Sequence, residues 1–328
     1  MPQILGKEIG PIGYGLMRLT WRKEPPSEEQ SFKAMRASLQ AGANFWNAGE
    51  FYGTPERNSL TLMNNYFTKY PEDAQKVVLS VKGGLVNMQP DGTPEGIKTS
   101  IENCLRLLDG KKSIDIFECA RVDKNTPIET TMKALEEYVK AGKIGGIALS
   151  EVSAATIRRA AKVTKIVAVE VELSLFNTNI LSNGVAEACA ENNVPVVAYS
   201  PLGWGFLTGE IKSPEDIPEG DLRRTMPRLQ PENFHKNIDL VNKLQSIAEQ
   251  KGCTPAQLAI AWIRSISKKD GNPEIFPIPG ATAEARVLEN SKGVTLGAED
   301  LKAINSILSS FTVAGDRFSE HAMTLAEG

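Results

Sequence analysis

The chain is poor in histidine: His235 and His321 are the only two among 328 residues. That excludes a histidine dyad and any histidine-rich metal centre, so no metal is expected. Cysteine is scarce as well. Cys104, Cys119, Cys189 and Cys253 lie far apart and form no C-x-x-C pair. This points away from disulfides and zinc sites, toward a reducing compartment where thiols are small buried hydrophobes. No apolar run is long enough to span a bilayer, and the opening Met1-Pro2-Gln3-Ile4-Leu5-Gly6-Lys7 lacks the basic and apolar stretches of a secretory signal. The expectation is a cytoplasmic protein, or one also found in the nucleus, with no membrane partner. Neither sign of charge dominates: 37 Lys and Arg against 40 Asp and Glu leave a net charge of −3, too little to hold nucleic acid. A G-x-G-x-x-G turn is missing too. Gly13-Tyr14-Gly15 lacks the third glycine, which argues against a dinucleotide-binding doubly wound sheet.

What is present is a repeated pair, a short β-branched run followed by an amphipathic helix pattern, about thirty to forty residues per unit. Strands are predicted at Ile12–Gly15, Asn44–Trp46, Val77–Lys82, Ile114–Cys119, Gly146–Leu149, Ala168–Val171, Val194–Ala198 and Ile275–Ile278. Helical patterns fall near 28–41, 56–69, 94–108, 127–141, 153–162, 179–192, 236–250, 255–267 and 282–290. Thr126-Pro127-Ile128-Glu129 and Thr254-Pro255-Ala256-Gln257 both read as capping boxes with proline at the first helical position. Ile128, Met132, Leu135 and Val139 give the first of these helices one apolar face, and Gly142 is its stop signal. Eight strands apolar on both faces, each with a one-sided helix, predict an α/β fold: a (β/α)8 TIM barrel, residues 1–328 as one domain, with an extra C-terminal helix and long loops at the C-terminal face. The segment 203–237, rich in proline, glycine and charge, reads as a lid or a disordered excursion.

In such a barrel chemistry sits where strands end. Asn47 and Tyr52 follow strand two, Lys82 closes strand three, and Ala120-Arg121 follow strand four. Ser150-Glu151 follow strand five, Glu170 and Glu172 flank the end of strand six, and Tyr199-Ser200-Pro201-Leu202-Gly203 follow strand seven. Lys82 ends an otherwise apolar strand, where a cation either snorkels into the barrel mouth or is paired and functional. A tyrosine from the neighbouring strand favours the second, because an ammonium near a phenol lowers its pKa toward the working pH of a general acid. The helix expected near Thr282, after Pro279-Gly280, offers free N–H groups to a phosphate, and Arg286 one turn on either reaches an extra phosphate or is solvated. Met17 and Trp21 either line a pocket or plug the barrel end. Arg223, Arg224 and Arg228 either clamp a phosphate or form a solvated basic loop. Gly315-Asp316-Arg317-Phe318 is a candidate to fold over the mouth, and both histidines are expected at the surface or at helix ends.

Taken in order, several stretches resemble the aldo-keto reductases over nearly the whole chain. They are Gly10–Gly15, Asn47-Ala48-Gly49-Glu50-Phe51-Tyr52-Gly53, Ser80-Val81-Lys82-Gly83 and Asp115–Asp123. Further on come Gly142–Ile144 through Ser150, Glu172–Phe176, Ala198–Gly203, and Ile278-Pro279-Gly280 with Glu289-Asn290. Asn47–Gly53 together with Cys119-Ala120-Arg121-Val122-Asp123 looks most like the fungal pyridoxal reductases, a subgroup of that family.

The resemblance implies NADPH as cofactor and an aldehyde as the small-molecule partner, with pyridoxal going to pyridoxine. It implies a catalytic tetrad of aspartate, tyrosine, lysine and histidine. Tyr52 and Lys82 match two members; Asn47 stands at the aspartate and Ala120 at the histidine. It further implies Ser150 at the nicotinamide carboxamide, with Glu151 and Glu170 where asparagine and glutamine are usual, and Tyr199 stacked on the nicotinamide. Ser200 and Leu202 would follow the pyrophosphate, Gly280 to Thr282 the adenosine phosphates, and Arg286, Glu289 and Asn290 the 2′-phosphate and adenine. Met17, Trp21, Ala120 and Arg121 would bound the substrate. With Asn47 unable to neutralise it, Lys82 is expected to lack a counter-charge. Loss of two tetrad positions also leaves an alternative, a catalytically weak NADPH-binding barrel with a redox-sensing or regulatory role.

Overall fold

The computed structural model describes residues 2–326 and 328. Eight parallel strands form one continuous sheet: β1 (Tyr14–Gly15), β2 (Phe45–Gly49), β3 (Val78–Gly83), β4 (Ile114–Cys119), β5 (Ile144–Ser150), β6 (Ile166–Glu172), β7 (Val196–Tyr199) and β8 (Ile275–Pro277). They neighbour one another in chain order. The sheet closes on itself where Gly13 N donates to Pro277 O at 2.9 Å and Gly15 bridges Gly280 in parallel. The closure explains the glycines: a Cβ on Gly15 would stand 3.0 Å from Ile278 O, and one on Gly13 would meet Phe45 O at 2.9 Å. The fold is a (β/α)8 barrel, as the strand pattern predicted.

Helices α1 (Glu28–Gln40), α2 (Ser59–Lys69), α3 (Pro94–Leu108), α4 (Ile128–Lys140), α5 (Ala154–Ala161), α6 (Val185–Glu191), α7 (Pro231–Lys251), α8 (Pro255–Ile266), α9 (Glu284–Ser291) and α10 (Ala298–Ser310) surround it. Thr254 caps α8 as expected, accepting from Gln257 N at 3.2 Å while Gln257 Oε1 accepts from Thr254 N at 3.1 Å. Thr126 does not cap α4. Its hydroxyl donates to Asp123 Oδ2 at 2.7 Å, the N-cap is Pro127, and Glu129 reaches out to Arg159 instead. Competition from a nearby carboxylate removed the hydroxyl from the helix end. The pattern at 179–192 splits into a short 3-10 turn at Asn179–Leu181 and α6, with Gly184 at φ +87° between them. Helix α7 begins at Pro231, five residues before the expected start, and takes in the end of the 203–237 segment. The rest of that segment is built from 3-10 turns and buries Phe206, Leu207, Ile211, Ile217, Met226 and Leu229, so it is a packed cover and not a disordered excursion.

Alternation along the strands sorts the barrel interior into layers, because residues two apart face the same side. An N-terminal hairpin (Gln3–Ile4 with Lys7–Glu8) brings Ile4 and Ile9 against Phe45, Val78, Ile116, Ala148, Ala168, Val197 and Phe276 in an apolar plug. Two residues on from those positions the row becomes Asn47, Ser80, Glu118, Ser150, Glu170 and Tyr199, with Lys82 one step further along β3. A polar layer therefore lies directly above an apolar one, at the C-terminal end of the barrel.

Candidate active site

Lys82 is the centre of that layer. Its side chain is 5% exposed, so it does not snorkel. Its Nζ lies 3.0 Å from Glu118 Oε1, forms an ion pair with Glu170, and lies 3.3 Å from Asn47 Oδ1. Asn47 Nδ2 donates to Glu170 Oε2 at 2.6 Å, so the amide bridges cation and carboxylate. The expectation that Lys82 lacks a counter-charge is overturned: two carboxylates supply it from β4 and β6. Burial works against the ammonium, but Glu118 and Glu170 outweigh it and hold its pKa above the ordinary value. Glu118 was legible in principle. It is an acid inside the apolar run Ile114–Cys119 and pairs in register with Lys82, the same signal that singled out the lysine.

Tyr52 is buried beside this cluster, on the turn after β2. Gly49 admits its ring: a Cβ there would come within 2.9 Å of the Tyr52 Cγ. Trp21 stacks on it at 5.6 Å and Phe51 packs edge-on at 4.9 Å. Burial pushes the phenol up to about 12; Lys82 and Arg121 draw it down, while Glu170 and Glu118 draw it up. The lysine thus tempers the desolvation of the phenol and does not bring it near neutrality.

A second buried network lies behind Tyr199. Arg317, from the C-terminal tail, donates to Glu151 Oε2 at 2.6 Å and to Glu172 Oε2 at 2.8 Å. Tyr199 Oη donates to Glu151 Oε1 at 2.8 Å and accepts from Arg317 at 3.2 Å. The ring is therefore tethered at its tip, with Lys82 Nζ 5.9 Å from its centroid. Desolvation raises Glu172, and Arg317 and Arg228 oppose it. Glu151 adopts φ +50°, and Ser200 and Trp204 are left-handed as well, so three non-glycine residues hold sparsely populated backbone around this corner. Arg317→Ala is expected to strand two buried carboxylates and cost about 3–5 kcal/mol of stability, read as a lower urea midpoint. An unchanged midpoint would show that the tail is not fastened there.

These residues converge on one cavity of about 660 Å³. Asn47, Tyr52, Lys82, Ser150, Glu170, Tyr199, Ser200 and Leu202 line it. Met17, Trp21, Ala120 and Arg121 lie on its wall, and so do Gly280, Thr282, Arg286, Glu289 and Asn290. Glu151 is the one sequence-predicted site residue outside that lining; its oxygens are taken by Arg317, Tyr199 and the Glu172 amide. Glu170 reaches the cavity, but with its oxygens held by Lys82 and Asn47. Helix α9 begins at Glu284, two residues past Thr282, and Arg286 is neither free nor simply solvated: it pairs with Glu289 at 2.6 Å and with Glu210. Arg223 is held by Asp221 at 2.9 Å, which also holds Arg18. Arg224 donates to Ile217 O, and Arg228 to Phe176 O at 3.1 Å. The basic loop is therefore paired, partly within itself and partly to Arg18 and Phe176 outside it. Phe318, Ser319, Ala322 and Leu325 of the tail close one side of the mouth, as the sequence suggested. Both histidines are exposed on helices.

Ser150 Oγ is buried on this cavity with no hydrogen-bond partner in the protein, and Trp204 Nε1 is likewise unpartnered. Buried polar atoms left unpaired are costly, so the cavity is built to receive a polar molecule. Among the described residues no group of His, Cys, Asp and Glu could hold a metal ion, and no helix is long and apolar enough to cross a membrane.

The sequence profile of the aldo/keto reductase family matches residues 11–309. The chain is 40% identical over 329 residues to "Probable pyridoxal reductase 2" of Schizosaccharomyces pombe, covering 98% of each. It is 38% identical over 326 residues to that organism's NADP(+) aldo-keto reductase yakc, covering 96% of this chain and 93% of the other. Among solved structures, the glycerol dehydrogenase AKR11B4 of Gluconobacter oxydans superposes with a TM-score of 0.82 over 96% of each chain at 23% identity, a likeness of fold.

Proposed function

The chain belongs to the aldo/keto reductase family and is an oxidoreductase, and from that premise we propose that it reduces an aldehyde, pyridoxal foremost, with NADPH. The observation that carries this reading is the convergence of Tyr52, Lys82 and the unpartnered Ser150 hydroxyl on one cavity. When bound, NADPH supplies the hydride. Ser150 would take its carboxamide, the tethered Tyr199 ring its nicotinamide face, and Gly280 to Thr282 its phosphates. Arg286 would meet the 2′-phosphate; its guanidinium is exposed, so its present pairs are worth little, and exchanging them for a phosphate is cheap.

Tyr52 is the proton donor. With its pKa near 12 the phenol is fully protonated at neutral pH, and Lys82 favours the phenolate that forms as the proton leaves for the carbonyl oxygen. Trp21, stacked on Tyr52, offers a flat wall to an aromatic substrate. Ala120 removes a hydrogen-bond donor that would polarise the carbonyl, so a substrate that activates itself is favoured. Pyridoxal does so through its electron-poor ring and the hydroxyl beside its aldehyde. The name of the similar yeast protein supports this choice.

The test is NADPH consumption with pyridoxal and a panel of simple aldehydes, with NADH alongside. Pyridoxal with NADPH should turn over fastest; a simple aldehyde turning over faster would sink the substrate assignment. Ala120→His is expected to raise kcat on simple aldehydes by about a hundredfold, the worth of one such donor. Unchanged rates would mean that the missing histidine does not set substrate choice.

A further inference from the structure

Lys82 faces two carboxylates where the aldo-keto reductase pattern places one. Glu118 and Glu170 are each about 1% exposed and both sit against the same Nζ. Two ionised carboxylates and one ammonium in a buried layer would leave a net negative charge, which burial penalises. One proton shared by the pair removes it. Among the described residues, no second cation pairs with Glu118 or Glu170. On β2 stands Asn47, on β5 Ser150, both neutral; Tyr52 and Tyr199 are phenols held protonated. Arg121 acts from the loop after β4, where its Nη1 donates to Ala120 O at 2.5 Å. Arg317 is engaged with Glu151 and Glu172 one step away. Fully buried Glu118 Oε1 lies 3.0 Å from Lys82 Nζ without meeting hydrogen-bond geometry with it. An acceptor in that state suits a proton carried by the neighbouring carboxyl.

We propose that Glu118 and Glu170 hold one proton between them and together form the counter-charge to Lys82, taking over from β4 and β6 the work of the aspartate that Asn47 replaces. They are positioning residues, acting on Tyr52 through Lys82; this rests on Tyr52 being the proton donor. With the proton in place the cluster is neutral, and Lys82 can favour phenolate. Once the proton is lost the cluster is net negative, and the phenol becomes a weaker acid. Burial and the neighbouring Glu118 push the Glu170 carboxyl up to about 8, against the pull of Lys82, so the change falls within the working range. The pair titrates as a unit.

Two measurements decide it. Infrared spectroscopy of the intact protein needs no activity: a buried carboxylic-acid carbonyl band should be present well below pH about 8 and vanish well above it. Glu170→Gln should abolish the band, and Glu118→Gln should move its loss to lower pH, since Glu118 is one of the two causes that raise Glu170. Absence of the band, or its survival in Glu170→Gln, overturns the shared proton. In kinetics, aldehyde reduction should decline as pH rises through that value; Glu170→Gln should lose that limb relative to its own plateau, and Glu118→Gln should move it to lower pH. Asn47→Asp adds a third carboxylate and should lower kcat about tenfold, the effect of one pKa unit on Tyr52; in the Glu118→Gln/Glu170→Gln background it should raise kcat. The same sign in both backgrounds overturns the counter-charge assignment. Should the double variant not fold, the single variants already decide. A wild type that reduces no aldehyde with NADPH would defeat the functional reading, while the infrared band would still test the pair.

Discussion

Tyr52→Phe is expected to lower kcat for NADPH-dependent reduction by about 100- to 10,000-fold, the usual worth of a placed proton donor. The substitution removes one oxygen and little else. The ring would keep its stack on Trp21 and its contact with Phe51. Stability should therefore hold, and cofactor affinity measured by fluorescence quenching should stay near the wild-type value. That combination separates chemistry from folding. Retained turnover would remove Tyr52 from the mechanism, and a collapse of cofactor binding would assign it a binding role instead.

The second large effect is expected at Lys82. Lys82→Met keeps the chain length and removes the charge, leaving Glu118 and Glu170 buried without their cation. Breaking a buried pair in this way costs about 3–5 kcal/mol. The pH dependence has a definite sign. In the native protein Glu170 is raised above its ordinary value, so its contribution to stability is present at low pH and fades as pH rises toward about 8. Without the cation, whose pull lowers it, the Glu170 carboxyl resists ionisation more strongly. The deficit of the variant should therefore be small in acid and grow with alkalinity. Urea unfolding at several pH values reads this directly. A deficit that shrinks as pH rises would falsify the assignment of Lys82 as the cation of the cluster. Activity should fall as well, since Tyr52 would lose the group that most favours its phenolate.

The two effects differ in kind for a structural reason. Tyr52 sits on a turn above the barrel, where one atom can be lost without disturbing the packing. Lys82 lies inside the sheet, in register with Gly49 on one side and Glu118 on the other. Its removal is felt on three strands.

Much of this was legible in the chain. Eight short apolar runs with one-sided helices between them specify a parallel sheet covered on its outer face, and closure of eight such units leaves few alternatives. Polar residues at strand ends then mark the catalytic face, and Tyr52, Lys82 and Ser150 are found there because strand direction alone puts them there. What failed locally failed through competition. Thr126 has the residue type and spacing of a cap, but Asp123 offers its hydroxyl a charged acceptor three residues away. The 203–237 segment has the composition of a loop, yet its apolar residues are spaced irregularly and bury themselves in 3-10 turns, which leave no period to read.

The partners of each charge were not legible. Alternation along a strand tells which side chains point inward; it is local and the sequence contains it. Which inward side chains meet across the barrel depends on how the closed sheet staggers its strands. Only the closed structure brings Glu118 and Glu170 to Lys82, and brings Arg317 from the far end of the chain to Glu151 and Glu172. The sequence by itself determined a barrel carrying a tyrosine and a lysine at its catalytic end. The tertiary structure decided that the lysine is neutralised from β4 and β6, because an ammonium taken out of water must find its counter-charge wherever the fold places one.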